Sequence, residues 1–313
     1  MKKTIRQIKT ASREEWLELR RHYIGGSDAG AVVGLNDYSS PYHLWAEKTG
    51  RIPGFEGNIT TEVGAYLEEL VAQMFTRETG KKVRRKGVTM INEAYPFACA
   101  DVDRVVVGED AILEIKTTNS FPTMRKLRGG EYPDTWYAQM THYLAVTGAK
   151  KAYLAVLINC REFKVFELQR DENEIIALMT AEAAFWKHVT EDTPPEADGS
   201  EATADAIATI YRESNGNSLE LFGREEMLED YFLLAADKKD IERRMDMIKH
   251  TIQMDMGEAE RGNARGYTVT WKTQPGRKQL DISRLAAEHP EIDLSTYYST
   301  GRPVRMFKIK EDK

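Results

Sequence analysis

The stretch that most constrains the fold is ADVDRVVVGEDAILEIKTT, residues 100–118. Apolar and β-branched residues on either side of its central glycine predict two strands joined by a tight turn. Side chains alternate along a strand, so Glu114 and Lys116 share one face of the second strand with Ile112, and Leu113 and Ile115 are expected to face the core. If Gly108 begins a two-residue turn, Asp103 lies directly opposite Glu114. The pattern therefore predicts an antiparallel hairpin that gathers two carboxylates and a lysine on one face.

Two neighbouring carboxylates need a positive charge to remain ionised in an apolar setting. A divalent cation would meet this need, and a site built only from oxygen ligands favours Mg²⁺ or Mn²⁺. The alternative is a cross-strand ion pair between Asp103 and Lys116 with Glu114 exposed, which leaves the apolar surroundings unexplained. The hairpin therefore predicts a metal site that includes Asp103 and Glu114.

The length of the chain allows more than one compact unit. A chain of 313 residues exceeds the usual size of a single domain, and 41% hydrophobic and 30% charged residues are typical of a globular protein. The segment TEDTPPEADGSEATADA has the composition of a boundary. We therefore expect a main domain over residues 1–195 and an extension over residues 196–313.

Charge patterning restricts the partners. The net charge of -6 argues against indiscriminate coating of nucleic acid, but local basic clusters can still contact phosphates. One cluster is Lys81, Lys82, Arg84, Arg85 and Lys86, and the other is Arg125, Lys126 and Arg128. A solvated surface is the alternative for either cluster alone.

The basic start of the chain resembles the first part of a signal peptide, but no continuous apolar stretch follows it. We therefore expect no membrane segment and a cytosolic protein. In that compartment Cys99 and Cys160 are expected to be reduced core residues. The six scattered histidines have no spacing that suits a zinc site.

Hydrophobic periodicity predicts further elements around the hairpin. Helices are predicted over residues 13–23, 61–79, 134–149 and 171–189, and strands over KAYLAVLI and EFKVFELQ. Glu68 lies beside the apolar stripe of the second helix, which consists of Val63, Leu67, Leu70, Val71 and Phe75. Gln139 and Tyr143 share one face of the third helix. The expected fold is α/β (α+β), with a mixed central sheet flanked by helices.

The segment IGGSDAGAVVGL interrupts the first helical pattern with glycines. Ser27 or Asp28 is then expected to cap a new helix. A helix start behind glycines suits an anion, and an ordinary helix-start turn is the alternative.

The extension combines a helical seam with two alternating segments. Leu234, Ile241, Met245, Ile248 and Ile252 form the seam, which predicts a helical arm packed on itself or on a neighbour. The segments RGYTVTWKTQ and RPVRMFKIK are expected to pair as a small sheet. The extension is expected to mediate assembly or to dock a partner or DNA.

These residues also carry a resemblance to a known family. Asp103 followed by Glu114-Ile115-Lys116 resembles the PD-(D/E)XK nuclease signature. The wider order of motifs is similar to the YqaJ-type viral recombinases, relatives of the phage lambda exonuclease. The similarity covers roughly residues 13–190 and includes IGGSDAGAVVGL, the stretch Gly64 to Glu68, and WYAQMTHY. Val102 and Arg104 stand where the family often has proline and glycine beside the aspartate, which leaves the local turn open.

The resemblance implies a restriction-endonuclease-like core and assigns roles to residues. Metal would be held by Asp103, Glu114, the carbonyl of Ile115 and Glu68. Lys116 corresponds to the catalytic lysine and Gln139 to a glutamine of the following helix, beside the catalytic acids Asp103 and Glu114. Ser27, with Arg20 or Arg21, corresponds to the residues that grip a terminal 5′ phosphate, and Arg125 and Lys126 are further candidates for DNA contacts.

The implied activity is that of a Mg²⁺- or Mn²⁺-dependent exonuclease. It would digest one strand of linear double-stranded DNA in the 5′ to 3′ direction during phage or prophage recombination, within the bacterial host cytosol. The same resemblance implies a homo-oligomer, such as a trimeric ring, and a single-strand annealing protein as partner. A structure-specific or restriction-like endonuclease and a non-catalytic DNA-binding recombination scaffold are the alternatives.

Overall fold

The computed structural model describes residues 4–301 and 303–311. It divides the chain into two compact units, the first ending at Arg212 and the second beginning at Glu213. The boundary therefore falls after Arg212 rather than after residue 195.

The first unit contains most of the helices and strands. They are β1 (Ile5–Ile8), α1 (Arg13–Arg21), β2 (Ile24–Gly25), α2 (Gly26–Val32), α3 (Pro41–Lys48), α4 (Ile59–Thr79), β3 (Val83–Arg84), β4 (Thr89–Asn92), β5 (Ala98–Ala100), β6 (Arg104–Val106), β7 (Ala111–Thr118), α5 (Phe121–Arg128), α6 (Asp134–Thr147), β8 (Lys151–Ile158), β9 (Glu162–Gln169), α7 (Glu172–Thr190) and α8 (Glu201–Ile210). The second unit contains α9 (Glu225–Met256), β10 (Arg261–Ala264), β11 (Tyr267–Thr270), α10 (Ile282–Glu288) and a 3₁₀ turn at Leu294–Tyr297.

The main sheet has the order β3-β6-β7-β8-β9. Strands β7 and β8 run parallel, whereas the other neighbours are antiparallel. Helices α5 and α6 lie in the crossover between the two parallel strands, as such a connection requires. The predicted mixed sheet with flanking helices is confirmed.

The hairpin has the predicted register. Arg104 pairs with Leu113, and continuing this register by one residue sets Asp103 opposite Glu114. Gly108 lies in the turn with a φ of 81°, a conformation that favours glycine. The register brings the charged side chains together.

Both faces of β7 are buried, although only Leu113 and Ile115 were expected to face the core. Ile112 belongs to one apolar cluster, while Leu113 and Ile115 belong to a second one. The correction follows from the sheet being covered on both sides. The first cluster includes residues of α6 and α7, and the second includes residues of α4.

Helix α4 supplies a narrower apolar face than its sequence suggested. Val71 and Phe75 are fully buried, whereas Val63 and Leu70 are 46% and 42% exposed. The helix begins at the cap residue Asn58, whose side chain accepts a hydrogen bond from the Thr61 backbone. Its central turns cover one face of the main sheet.

A second sheet, with the order β1-β4-β5-β2, was not anticipated. Its strands are short, and β2 has only two residues, so hydrophobic periodicity could not show them. Ile24 and Gly25 pair in parallel with Ala98 and Cys99 of β5. This pairing fixes the start of α2 beside the strand that precedes the hairpin.

Helix α8 explains why the first unit extends beyond residue 195. The Thr203 hydroxyl lies 2.6 Å from that of Ser40, at the start of α3. Ala206 joins the apolar cluster that contains Tyr42 and Trp45. Residues after the predicted boundary therefore complete the core of the first unit.

The second unit differs from the predicted small sheet. Tyr267–Thr270 pairs with the preceding strand Arg261–Ala264 rather than with RPVRMFKIK. Within that last segment Arg302 lies outside the described residues, and the others form no strand. A short hairpin turn at Gly266, where φ is 81°, makes the local pairing possible.

The cysteine expectation is half correct. Both thiols are free, but only Cys99 is buried, whereas Cys160 is exposed in the turn between β8 and β9. Among the described residues, no helix is both long and apolar enough to cross a membrane.

Candidate functional site

Glu114, Lys116 and Gln139 form a closed network of hydrogen bonds on one face of the main sheet. The Glu114 carboxylate oxygen Oε1 lies 2.8 Å from Lys116 Nζ and accepts a 2.8 Å hydrogen bond from Gln139 Nε2. Lys116 Nζ also donates to Gln139 Oε1 at 2.8 Å. Glu114 is only 3% exposed. Each side chain therefore orients the other two in a largely dry setting.

Asp103 joins this network from the neighbouring segment of the hairpin. Its Oδ2 accepts a 2.7 Å hydrogen bond from the Ile115 backbone N–H. Burial, followed by the charge of Glu114, raises the pKa of Asp103 well above its usual value, although Lys116 acts in the opposite direction. The N–H and C=O of one strand residue point to the same side, so the Ile115 carbonyl faces the same neighbouring segment of the hairpin as its N–H.

The oxygen atoms at this point fit a divalent cation. Glu114 Oε2 is buried and has no hydrogen-bond partner among the described residues. An unpartnered carboxylate oxygen in such a place is costly unless a positive charge lies beside it. Asp103 and the Ile115 carbonyl would add further oxygen ligands of the kind that Mg²⁺ and Mn²⁺ prefer.

Glu68 lies near this set but is engaged elsewhere. It acts on the pKa of Asp103 through its charge, yet its carboxylate is bound by Arg104 and lies 3.3 Å from Arg85. In the described part of the chain, no group of three or more acidic, histidine or cysteine side chains is arranged to hold a metal. Metal ligation by Glu68 therefore stays a prediction.

Arg104 was not recognised as a site residue. Its buried guanidinium donates to the Asp103 carbonyl at 2.7 Å and to Glu69 at 3.0 Å, in addition to binding Glu68. The sequence left open the conformation of the turn beside Asp103. In the structure, the hydrogen bonds and ion pairs of Arg104 hold this turn. The sequence signal for this role was the position of Arg104 at the start of the apolar run RVVV, where a charged side chain needs a partner.

The second candidate cluster lies at the start of α2. Arg20 Nη2 donates to Ser27 Oγ at 2.6 Å and to Asp28 at 3.3 Å. Asp28 also accepts hydrogen bonds from Lys48 Nζ at 2.7 Å and from the Gly25 N–H at 2.9 Å. Burial raises the pKa of Asp28, but Lys48 and Arg20 more than offset it, which leaves the pKa at about 2.

The expected helix cap is wrong in detail. Helix α2 begins at Gly26 with Gly25 as its cap residue, so neither Ser27 nor Asp28 occupies the cap. Asp28 lies within the first turn, from which its carboxylate reaches back to the Gly25 N–H. Ser27 is thereby left to interact with Arg20.

The adjacent glycines permit two close approaches. A Cβ atom at Gly26 would lie 2.3 Å from the ring of Tyr143, and one at Gly25 would lie 3.0 Å from the Arg20 guanidinium. The Tyr143 hydroxyl accepts a 3.2 Å hydrogen bond from Gln139. Tyr143 therefore connects the start of α2 with the carboxylate network. The sequence Gly25-Gly26 predicted a turn, but the close approach of the Tyr143 ring is visible only in the structure.

The other predicted DNA contacts are dispersed. Arg21 is half exposed and lies 3.6 Å from Glu18, although it borders the same groove of about 1450 Å³ as Arg20 and Ser27. Arg125 and Lys126 lie on α5, where they line a separate surface pocket. The structure thus brings Arg20 and Ser27 into contact, places Arg21 at the same groove, and leaves Arg125 and Lys126 apart from them.

A buried ionisable pair behind the network was also missed. His142 Nδ1 lies 2.8 Å from Glu182, and its Nε2 lies 2.8 Å from the Cys99 carbonyl. Both side chains are fully buried. Together they join α6 to α7 and to β5, so they support the elements that carry Gln139. Glu182 within the apolar run ALMTAEAAFW was the sequence signal.

Comparisons with known proteins match this chain to one family. Residues 15–150 match the model of the YqaJ-like viral recombinase domain. The chain is 35% identical over 306 residues to the uncharacterized protein YqaJ of Bacillus subtilis (strain 168), covering 96% of this chain and 95% of that protein.

Solved structures share the fold of about half of this chain. The alkaline exonuclease LHK-Exo from Laribacter hongkongensis has a TM-score of 0.51 and 22% identity, covering 57% of this chain and 94% of that chain. Its complex with dAMP has a TM-score of 0.50 and 20% identity, with the same coverage. At these identities the likeness concerns architecture.

Proposed function

Because this chain belongs to the family of YqaJ-like viral recombinases, we propose that it is a metal-dependent deoxyribonuclease. The observation that carries the proposal is the buried network of Glu114, Lys116 and Gln139 beside Asp103, with one Glu114 oxygen unpartnered among the described residues. The fold shared with an alkaline exonuclease supports the same proposal.

Asp103, Glu114 Oε2 and the Ile115 carbonyl would hold the cation. When bound, Mg²⁺ supplies Lewis acidity and lowers the pKa of water. Its positive charge would also keep both carboxylates ionised, reversing the effect that burial has on Asp103. Glu68 would contribute only by exchanging its contact with Arg104 for the cation.

Lys116 places a positive charge where the phosphate of a scissile bond would lie. Gln139 and Glu114 restrain its ammonium group from two sides, so the charge is oriented before substrate arrives. Such preorganisation stabilises the extra negative charge that develops on phosphorus oxygens in the transition state. Gln139, held by Tyr143, keeps the three side chains in register.

Arg20 and Ser27 are suited to a terminal 5′ phosphate. A guanidinium and a hydroxyl in contact provide several donors in a groove, the pattern by which anions are bound. We therefore propose that the enzyme degrades linear double-stranded DNA from a 5′ end toward the 3′ end. Arg21, Arg125 and Lys126 would add contacts to the duplex backbone.

A cleavage assay tests the activity. Linear, nicked and closed circular duplexes are incubated with the full chain in the presence of Mg²⁺ or of a chelator. We expect the linear duplex to be degraded and the other duplexes to stay intact, and we expect this degradation only in the presence of Mg²⁺. Cleavage of closed circles would establish an endonuclease instead, and binding without cleavage would establish a scaffold. Calorimetric titration with Mn²⁺ of the wild-type chain and of Asp103→Asn tests the metal site separately, and the variant is expected to bind at least about 10-fold more weakly.

The end preference is tested with paired substrates. Linear DNA with a 5′ phosphate is expected to be degraded faster than the same DNA with a 5′ hydroxyl. Arg20→Ala should reduce this ratio more than it reduces cleavage of the hydroxyl substrate. Arg6→Ala, which removes an exposed arginine that contacts Tyr23, is the matched control. An unchanged ratio in Arg20→Ala would contradict the assignment while leaving the nuclease proposal intact.

A further inference from the structure

Helix α9 of the second unit carries an apolar seam that repeats every seven residues. The seam positions are Met227, Tyr231, Leu234, Lys238, Ile241, Met245, Ile248 and Ile252. Their spacing alternates between four and three residues, so they correspond to successive a and d positions of nearly four heptads. A helix that covers a globular core follows a period of 3.6 and would drift away from this strict repeat.

The seam is open to solvent. Its apolar members are between 37% and 66% exposed, and the structure, which describes every residue of α9, shows none of them buried. Isolated helices gain little stability from their own sequence, and most of it comes from packing of an apolar face. A helix of 32 residues with such a face therefore requires a partner.

The charges that flank the seam indicate how two copies of α9 could pair. In a parallel pair of identical helices, each g position lies against the e position five residues further along the other helix. Asp237 would then face Glu242, and Arg244 would face Lys249, so both contacts repel. The Lys238 side chains of the two copies would also oppose one another. A parallel pair of α9 helices is disfavoured.

Reversing one helix changes each of these contacts. With a twofold axis at the midpoint between Lys239 and Asp240, Asp237 of each copy faces Arg244 of the other. Among the described residues neither side chain has an ion-pair partner within its own chain. The pairing is therefore attractive, and it occurs twice because the arrangement is symmetric.

The same axis aligns the whole seam. Its layers are Met227 with Ile252, Tyr231 with Ile248, Leu234 with Met245, and Lys238 with Ile241, each occurring twice. No seam residue is left over at either end. Lys238 faces an apolar side chain along which its methylene stem can pack, while its ammonium stays near Glu242 of its own helix, 3.8 Å away.

We propose that two copies of this chain associate through α9 as an antiparallel coiled coil. At 1.5 Å per residue the seam is roughly 38 Å long. Charge complementarity and seam symmetry both identify a second copy as the occupant of this face. The pairing concerns assembly and does not depend on the proposed nuclease activity.

The first test measures the mass of the full chain by analytical ultracentrifugation. Ile241→Lys is expected to halve the mass, because it places a charge in two central layers. Met247→Lys is the matched control, since Met247 lies on the same helix, is 63% exposed and lies off the seam. An unchanged mass in Ile241→Lys, or an equal loss in both variants, would overturn the proposal. Circular dichroism of each variant verifies that the chain remains folded.

The second test determines orientation. With the exposed Cys160 replaced by serine, Leu234→Cys chains are mixed with Met245→Cys chains under oxidising conditions. The antiparallel pair predicts a disulfide only in the mixture, whereas a parallel pair would cross-link each variant alone. Absence of cross-linking in the mixture, together with an intact dimer, would exclude the proposed layers.

A charge variant gives opposite results for the two orientations. Arg244→Asp sets like charges against each other in the antiparallel pair but creates an attraction to Lys249 in the parallel one. We expect Arg244→Asp to raise the dissociation constant of the dimer about 10-fold. The double variant Asp237→Arg/Arg244→Asp should restore the wild-type dissociation constant. A tighter dimer in the single variant would contradict the orientation.

Discussion

At the scale of residues, the first unit places ionised groups where water is scarce and then surrounds each with specific partners. Glu114 has Lys116 and Gln139, whereas Asp28 has Lys48 and Arg20. Such pairs are weak as sources of net stability, but removing one member is costly because the other keeps its charge. Substitutions within them therefore have effects that depend on which partner remains.

Lys116→Ala tests the role of the ammonium group. We expect cleavage of linear duplex DNA to fall at least about 100-fold, because a preorganised charge at the reacting phosphate is lost. DNA affinity, measured by fluorescence anisotropy in Mg²⁺-free buffer, should stay within about threefold. Lys187→Ala on the exposed face of α7 is the control. Cleavage near the wild-type rate would show that Lys116 has a structural role only.

Asp28→Asn tests the cluster at the start of α2 through its pH dependence. The folded pKa of Asp28, about 2, lies below its unfolded value, so its contribution to stability is present above about pH 4 and disappears as the pH falls toward 2. We expect the variant to lose about 3 kcal/mol at pH 7, because Lys48 remains buried without a carboxylate.

Urea unfolding at pH 7, 5 and 3 measures this effect. The difference between wild type and Asp28→Asn should be constant between pH 7 and 5 and smaller at pH 3. Asp192→Asn, which removes an exposed partner of Arg51, should cost less than about 1 kcal/mol. Equal losses in the two variants would contradict the argument.

At the scale of elements, α6 connects the two clusters. One of its faces presents Gln139 and Tyr143 to β7 and α2, while His142 is directed toward α7 and β5. Residues 139–143, little more than one turn of this helix, thus set the positions of a strand, a helix start and a second helix. A small shift of α6 should therefore change its contacts with β7, α2 and α7.

Gly26→Ala tests the contact between α2 and α6. The added methyl group would lie 2.3 Å from the Tyr143 ring, so one of the two elements must move. We expect a loss of about 1–3 kcal/mol in unfolding free energy, as for other overpacked sites, together with reduced cleavage. Gly199→Ala, with no atom within 4 Å of the added carbon, is the control for thermal denaturation. Equal stability of both variants would indicate that α2 shifts without cost.

At the scale of the whole molecule, the proposed chemistry and the proposed assembly belong to separate units. Every residue of the candidate site lies before Arg212, whereas the α9 seam lies after it. The role expected for the extension, which is assembly or docking of a partner or DNA, stays a prediction. Helix α8 belongs to the first unit, so the point of truncation matters.

Two truncations test this division. A fragment ending at Arg212 is expected to fold and to cleave linear DNA, but to lose the association measured for the full chain. A fragment ending at residue 195 lacks Thr203 and Ala206 and exposes the apolar residues of α3 beneath them, so we expect its unfolding midpoint to be several degrees lower. Equal melting temperatures would show that α8 is dispensable.

The sequence by itself determined the local features of this protein. The hairpin register, strands β8 and β9, and the helical face shared by Gln139 and Tyr143 follow from side-chain periodicity and a glycine turn, which act over a few residues. The association of Asp103 with Glu114 and Lys116 was accessible for the same reason.

Only the tertiary structure decided contacts between distant segments. Arg104 with Glu68, His142 with Glu182, Gly26 against Tyr143, and α8 on α3 each join residues far apart in the chain. No periodicity within one element encodes such pairs, because they depend on how layers stack and on which charge is left buried when they do. The sequence thus determined which side chains are candidates for the site, and the packing of α2, α4 and α6 decided which of them meet.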